Sequence, residues 1–173
     1  MERCTSSSRL YDGSILNLRV DEVELDDGRP TKREIIEHRG AAAIVPIVNG
    51  QNVVLVRQYR YAVSWELLEV PAGTLNRGEA PEECARRELE EETGYKCHEI
   101  KKILEFFVAP GYSTEKIHVY LAKGLTKSKM RTEQDEQIKV EKLPIAKALE
   151  KVRLGEIRDA KTICALFRAA ELL

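Results

Sequence analysis

Residues 73–95 read GTLNRGEAPEECARRELEEETGY, a turn followed by a helix that concentrates acidic side chains on one face. At 100° per residue, Glu88, Glu91 and Glu92 fall within one arc because they are spaced i, i+3 and i+4. Like charges at these spacings cost about 0.2–0.5 kcal/mol per pair on an exposed helix. A bound divalent cation would explain why they are there, since Mg²⁺ and Mn²⁺ prefer hard oxygen ligands. The sequence therefore predicts a metal-binding helix.

The residues at the ends of this segment support the helix. Pro81 suits the first helical position, and Gly94 is placed to cap the C-terminus in a left-handed conformation. Arg87 lies four residues before Glu91 and can hold that carboxylate. Gly73 marks a tight turn or a close approach of the backbone to a ligand.

The spacing of the segment resembles the Nudix box of the Nudix hydrolases. The matching positions are Gly73, Glu79, Arg87, Glu88, Leu89, Glu91, Glu92 and Gly94. Tyr95 stands where an aliphatic residue is usual, which affects packing more than chemistry. The alternative is an ordinary charged surface helix after a turn, and the agreement at every charged and glycine position disfavours it.

Length and composition narrow the function classes. The chain has 173 residues, of which 33% are charged and 43% hydrophobic, which suits one domain with a sizeable core. A formal net charge of -1 gives no sign of nucleic-acid binding, and no apolar run is long enough to span a membrane. The N-terminus lacks the apolar core of a signal peptide, and the four cysteines show no C-x-x-C pair. We expect a cytoplasmic protein with free thiols and with neither nucleic-acid nor membrane partners.

Hydrophobic periodicity and turn signals predict strands followed by helices. Residues 1–8 are polar and predicted to be mobile. The predicted strands cover residues 16–25, 31–38, 41–48, 52–59, 65–70, 100–108, 116–122 and 138–143, and the predicted helices cover 82–93, 144–154 and 159–173. This order indicates an α/β (α+β) fold in which helices pack on a mixed sheet. The Nudix resemblance implies an α/β/α sandwich with the box helix on one side.

The predicted domain organisation has two parts. Residues 1–40 form an N-terminal β-hairpin segment, expected to be a dimerisation element, and residues 41–173 form the Nudix hydrolase domain. The homodimer is implied by the resemblance, because in the related branch this hairpin crosses to a second subunit and helps to bind the base.

Features outside the box resemble the ADP-ribose pyrophosphatase branch of the family. Pro110 lies fifteen residues after the box, within a run from Ala109 to Glu115 that is similar to the substrate loop of that branch. The resemblance implies Mg²⁺-dependent hydrolysis of ADP-ribose to AMP and ribose 5-phosphate. The substrate-binding residues it implies are Arg33, Arg57, Arg60, Glu69, Pro110, Gly111 and Ser113. Taken alone, the Pro-Gly pair reads as a plain turn, and the arginines of strand 52–59 read as surface cations.

The resemblance also assigns roles around the metal. Glu88 and Glu92 are the implied ligands, with the Ala72 carbonyl completing the site. Glu91 is a further ligand or a near neighbour, and Glu115 resembles an additional acidic ligand. Mg²⁺ is the expected ion and Mn²⁺ a plausible substitute. Arg87 is expected to orient the acids, and Glu79 to tie the loop to the helix by hydrogen bonds.

The general base is expected in the acidic segment 132–138. Within it we favour Glu136 over Glu133, the alternative being a solvated acidic loop. Adenine would need a flat apolar side chain to stack on. The sequence does not rank the candidates, and core packing is the commoner role of such aromatic residues: Tyr11, Tyr59, Tyr61, Trp65 and Tyr112.

Two other functions compete with ADP-ribose hydrolysis. One is hydrolysis of another nucleoside diphosphate-sugar or of a dinucleotide, which the sequence does not separate from the first. The other is a nucleotide-binding module without turnover, which would be expected to lack acids of the box. All of them are present.

Overall fold

The computed structural model describes residues 1–131 and 137–173, and in these ranges it contains ten strands and three α-helices. The strands are β1 Arg3–Asp12, β2 Leu16–Glu24, β3 Pro30–His38, β4 Ala41–Val48, β5 Asn52–Arg60, β6 Trp65–Glu69, β7 Ala72–Thr74, β8 Tyr95–Phe107, β9 Lys116–Lys127 and β10 Lys139–Pro144. The helices are α1 Pro81–Thr93, α2 Ile145–Arg153 and α3 Ala160–Ala170, and one 3₁₀ turn covers Tyr61–Val63.

The larger sheet has the strand order β10-β5-β4-β9-β8, with β6 paired to β5 and β7 paired to β4. Strand β4, AAAIVPIV, is buried along nearly its whole length, as expected for a strand covered on both faces. Ala42 and Ile44 pack against Cys84 and Leu89 of α1. The alternate residues of β4 point to the opposite face, and α3 also contacts this strand. The predicted α/β/α sandwich is therefore confirmed.

The chain divides into two compact units. One comprises residues 41–105 and 118–173 and holds most of the larger sheet with the three helices. The other comprises residues 1–40 and 106–117 and holds the antiparallel sheet β1-β2-β3. Within the described ranges, no helix combines the length and the apolar character that crossing a bilayer requires.

The prediction that residues 1–8 are mobile is wrong for residues 3–8. These residues lie in β1, which pairs with β2 from Arg3↔Glu24 to Asp12↔Asn17 and turns the expected hairpin into a three-stranded sheet. Every residue of β1 is exposed, so ladder hydrogen bonds and polar pairs hold the strand. Ser7 Oγ donates to Asp21 at 2.6 Å, for example. A sequence reading based on apolar burial has no signal for such a strand.

Most other elements lie close to their predicted positions. Helix α1 ends at Thr93, and the φ of 67° at Gly94 confirms the left-handed cap that follows it. Strand β8 begins at Tyr95, five residues before the predicted start, because that side chain is buried in the core beneath α1. Lys142 lies over the Tyr95 ring, with Nζ 4.9 Å from the centroid. The aromatic residue at this position of the motif therefore takes part in packing, as expected.

Candidate active site

Arg87 lies at the centre of the acidic cluster on α1. Its Nη1 is 2.6 Å from Glu88 Oε1 and 2.9 Å from Glu91 Oε2, so one guanidinium bridges two of the predicted metal ligands. The pKa of Arg87 is raised, first by its hydrogen bond to Glu79 and then by the charges of the other acids. These contacts place Arg87 against the carboxylates that it is predicted to orient, and the role itself stays a prediction.

Glu79 joins the turn to the helix. Its carboxylate accepts from the Asn76 amide at 2.8 Å and from Arg87 Nε at 2.8 Å. The hydrogen bond from Arg87 is the main reason that the pKa of Glu79 is lowered. This is the tie between loop and helix that the sequence analysis expects of Glu79.

Gly73 and Glu88 are in direct contact across the turn. A Cβ added to Gly73 would lie 1.8 Å from Glu88 Oε1 and 2.2 Å from its Cδ, so a side chain at this position would force the Glu88 carboxylate to move. Glu88 is itself 9% exposed, which places its carboxylate in a protein-lined cradle. The absence of a side chain at Gly73 leaves room for this carboxylate, whereas the close approach to a ligand predicted from the sequence stays a prediction.

Glu92 is held by the backbone of the strand that precedes the turn. It is 3% exposed, and its Oε2 accepts from the Ala72 amide at 3.1 Å. Ala72 belongs to β7, which pairs with Ala43 of β4. The rigid sheet thus fixes the peptide of Ala72 beside the carboxylate of Glu92, and these are two of the predicted metal-binding groups.

The donor chemistry of this cluster fits a hard divalent cation. Glu88 and Glu92 are buried carboxylates one helical turn apart, and buried negative charge requires a compensating positive partner. Only oxygen donors belong to the predicted ligand set, as Mg²⁺ prefers. In residues 1–131 and 137–173, however, no three acidic, histidine or cysteine side chains are arranged to hold an ion. The carboxylates are instead turned towards Arg87 and the Ala72 amide, so the ligand set remains a prediction.

Arg60 and Glu69 form a two-point ion pair at the ends of β5 and β6. Arg60 Nε and Nη2 each lie 2.9 Å from one carboxylate oxygen of Glu69. Burial of Glu69 would raise its pKa, but hydrogen bonds from Arg60 and the charge of Lys161 outweigh this and lower it. The pKa of Arg60 is raised chiefly by its hydrogen bonds to Glu69, and the charge of Glu92 adds to the effect. The structure thus brings these two predicted substrate-binding residues together, within the electrostatic field of the α1 acids.

Arg57 has different partners. It bonds Glu141 of β10 through Nε, and its Nη1 lies 4.0 Å from Glu66. Because Arg57 and Arg60 are three residues apart on one strand, their side chains leave opposite faces of the sheet. The structure therefore does not bring the two arginines together.

In the unit formed by residues 1–40 and 106–117, four predicted substrate-binding residues line one cavity. This cavity has a volume of about 340 Å³ and includes Arg33, Pro110, Gly111 and Ser113. Arg33 pairs there with Glu2, through Nε at 3.0 Å and Nη2 at 2.6 Å. Glu2 is not among the residues predicted from the sequence to bind substrate.

The loop that carries Pro110 is fastened to β3. The Ile36 amide donates to the Tyr112 carbonyl at 2.8 Å, and the Thr114 amide donates to the Ile36 carbonyl at 2.9 Å. Glu115, a predicted metal ligand, has an oxygen 3.9 Å from His38 Nδ1. The contact between His38 and Glu115 lies within this unit.

Glu136, the predicted general base, lies outside the described residues, as does Glu133. The five aromatic candidates for stacking are exposed by 52–87%, so none is a core residue: Tyr11, Tyr59, Tyr61, Trp65 and Tyr112. Arg158 covers one face of Trp65, with its guanidinium carbon 4.2 Å from the ring centroid.

Comparisons with known proteins cover both units. A family model described as the NUDIX domain matches residues 37–166, and one described as the nucleoside diphosphate sugar hydrolase N-terminal domain matches residues 2–36. The methanol dehydrogenase activator of Bacillus methanolicus is 39% identical over 167 residues, which is 95% of this chain and 90% of that protein. The ADP-ribose pyrophosphatase of Bacillus subtilis (strain 168) is 37% identical over 167 residues, with the same two coverages.

A solved structure extends the agreement to the fold. The crystal structure of an ADP compounds hydrolase superposes with a TM-score of 0.88 and 22% sequence identity. The match covers 99% of this chain and 94% of the other. At this level of identity the likeness concerns the fold alone.

Proposed function

The chain belongs to the Nudix family of hydrolases, and from this premise we propose that it hydrolyses the diphosphate bond of ADP-ribose to give AMP and ribose 5-phosphate. The observation that carries the proposal is 37% identity to the Bacillus subtilis ADP-ribose pyrophosphatase over 95% of this chain. The complete set of box acids between Gly73 and Gly94 agrees with it.

The residues that would hold the divalent ion are Glu88 and Glu92 with the Ala72 carbonyl, and Glu91 and Glu115 as further acids. Mg²⁺ is the proposed ion, with Mn²⁺ as a substitute. When bound, such an ion neutralises phosphate charge and lowers the pKa of a coordinated water. The buried carboxylates on α1 and the space left by Gly73 support this assignment.

The protein side chains supply orientation and phosphate binding. Arg87 fixes the directions of the Glu88 and Glu91 carboxylates, and the Ala72 amide fixes that of Glu92. Arg60 is proposed to bind the diphosphate because a guanidinium matches phosphate oxygens at two points and its side chain is 39% exposed. Arg57, Glu69 and the 109–115 loop complete the proposed binding set, with Arg33 from β3.

A general base must remove a proton from the attacking water. Glu136 is proposed for this role, on the strength of the sequence resemblance alone. Glu133 is the second candidate, and the variants E133Q and E136Q distinguish the two. The variant that replaces the general base should lose most of the wild-type kcat, and the other variant should keep it.

The main alternative is another nucleoside diphosphate-sugar or a dinucleotide as substrate. The broader description of the N-terminal family model supports it. A panel of ADP-ribose, other nucleoside diphosphate-sugars and dinucleotides, ranked by kcat/KM, decides between them. A binding module without turnover is the weakest alternative because the box acids are complete.

We further propose a cytoplasmic homodimer that forms through the β1-β2-β3 sheet. Strand β1 is exposed along its whole length, and Leu10, Tyr11 and Ile15 are exposed large apolar side chains near its end. Unpaired edge strands and apolar surface favour association with another chain. Sedimentation equilibrium should give the mass of two chains; a monomer at all concentrations would contradict the dimer. The four free cysteines are consistent with a reducing compartment.

The activity is tested by incubating the purified protein with ADP-ribose and Mg²⁺ and separating the products by chromatography. AMP and ribose 5-phosphate in equal amounts are expected, and a chelator should stop their formation. If ADP-ribose stays intact after prolonged incubation while another member of the panel is hydrolysed, ADP-ribose is not the substrate and that other compound takes its place.

A further inference from the structure

Glu69 is an ionised carboxylate that is 1% exposed and shared by two cations. Arg60 contacts both of its oxygens, and Lys161 Nζ donates to Oε2 from the first turn of α3. The Lys161 side chain is 15% exposed, whereas that of Arg60 is 39% exposed. Lys161 is therefore the more enclosed of the two cations, and Arg60 is the one that an anion from solvent reaches more easily.

The start of α3 fixes Lys161 in this position. Asp159 caps the helix by accepting from the Thr162 amide at 3.0 Å, and it lies 3.0 Å from Lys161 Nζ. Thr162 Oγ1 in turn accepts from the Val70 amide at 2.9 Å, immediately after β6. Lys161 is thus tied to the same strand end that carries Glu69.

The charges around Glu69 determine how strongly Arg60 attracts an anion. With Glu69 as its only partner, the guanidinium would belong to a neutral pair and attract an anion weakly. Lys161 supplies a second positive charge to Glu69, while the charge of Asp159 is offset in part by the helix N-terminus. Arg60 therefore attracts phosphate more strongly than it would without Lys161, and the two hydrogen bonds to Glu69 hold its guanidinium in place.

We propose that Lys161 is a positioning residue, which acts through Glu69 to keep Arg60 oriented and positive towards the diphosphate of the substrate. The inference rests on the proposed function for the identity of the substrate. It adds a residue from α3, 92 positions away from Glu69 in sequence, to the substrate-binding machinery.

The test uses three variants of Lys161 and one control. K161M removes the charge and the hydrogen bond, K161Q keeps a donor without the charge, and K161R restores both. K161M and K161Q should raise KM for ADP-ribose about tenfold, the effect of losing one charged interaction, with kcat within about threefold of wild type. K161R should return KM to within about threefold. K147M removes an exposed lysine paired with Glu150 on α2 and should change neither constant.

A binding measurement separates this inference from the proposed function. Calorimetry with inorganic pyrophosphate should give a Kd about tenfold weaker for K161Q than for wild type, whatever substrate is turned over. If wild type forms no AMP from ADP-ribose but this difference in Kd is found, the substrate assignment fails and the role of Lys161 stands. Equal KM and Kd in wild type and K161Q, or no binding of pyrophosphate to wild type, would overturn the role of Lys161. A fall in thermal stability of K161M with unchanged KM would also overturn it.

Discussion

The carboxylate of Glu88 fills the space that a side chain at Gly73 would need. The turn and the helix are thereby fitted to each other through one acid, which is also a predicted metal ligand. The φ of Gly73 is not positive, so a larger residue at this position is disfavoured by its volume and not by the backbone conformation.

G73A should destabilise the protein by about 1–3 kcal/mol, the cost of forcing extra volume into a packed site. Urea unfolding measures this cost. The matched control is the same substitution in an E88A background, where the carboxylate is gone and the added methyl group has room. The cost should fall below about 0.5 kcal/mol there, and an equal cost in both backgrounds would show that the contact is not the cause.

R87M should lower both stability and activity. The substitution leaves the buried Glu88 and the largely buried Glu79 without their shared cation, at a cost of about 2 kcal/mol in unfolding free energy. We expect kcat/KM to drop about tenfold or more, because the acids lose their orientation. R86M removes the neighbouring arginine, whose carboxylate partner is the exposed Glu82, and should cost no more than about 0.5 kcal/mol. If R86M loses as much stability and activity as R87M, the effect comes from removing positive charge from the helix and not from the contacts of Arg87.

Glu69 should contribute stability that depends on pH. Its pKa is lowered in the folded protein, since Arg60 and Lys161 outweigh the effect of burial, whereas its ordinary value is 4.5. The stabilising contribution of Glu69 is therefore fully present when the pH is above the ordinary pKa of 4.5. It is lost as the pH falls through the lowered pKa of the folded protein. The difference in unfolding free energy between wild type and E69Q should shrink across this acid range. A difference that stays constant with pH would contradict an ionised Glu69.

Cys84 should be protected from thiol reagents. Its side chain is fully buried beneath the turn, with Sγ 3.5 Å from the Gly73 carbonyl, and burial raises its pKa to about 12. Cys4 and Cys164 are exposed and should react in the folded protein. Peptide mapping by mass spectrometry should find Cys84 labelled only after denaturation. Rapid labelling under native conditions would show that the turn opens away from α1.

The parts of the site that the sequence predicted are those encoded at short range. The acid face of α1, its cap at Gly94 and the link from Glu79 to Arg87 follow from spacings within one turn and helix. The partner of Arg57 could not be found in this way, because Glu141 lies 84 residues from it in sequence. Lys161 is likewise remote from Glu69, and its sequence context shows only a helix start at Asp159. Such contacts depend on how the strands and helices pack.

The measurement that tests the central claim most directly compares wild type with E92Q in Mg²⁺-dependent formation of AMP from ADP-ribose. The Gln amide oxygen can still accept from the Ala72 amide, so the substitution removes charge at the proposed metal site with little change of shape. We predict that E92Q keeps the wild-type unfolding transition within about 1 kcal/mol and loses at least about 100-fold in kcat. E82Q, an exposed acid on the same helix, should retain full activity. Full activity in E92Q would contradict the proposed metal site.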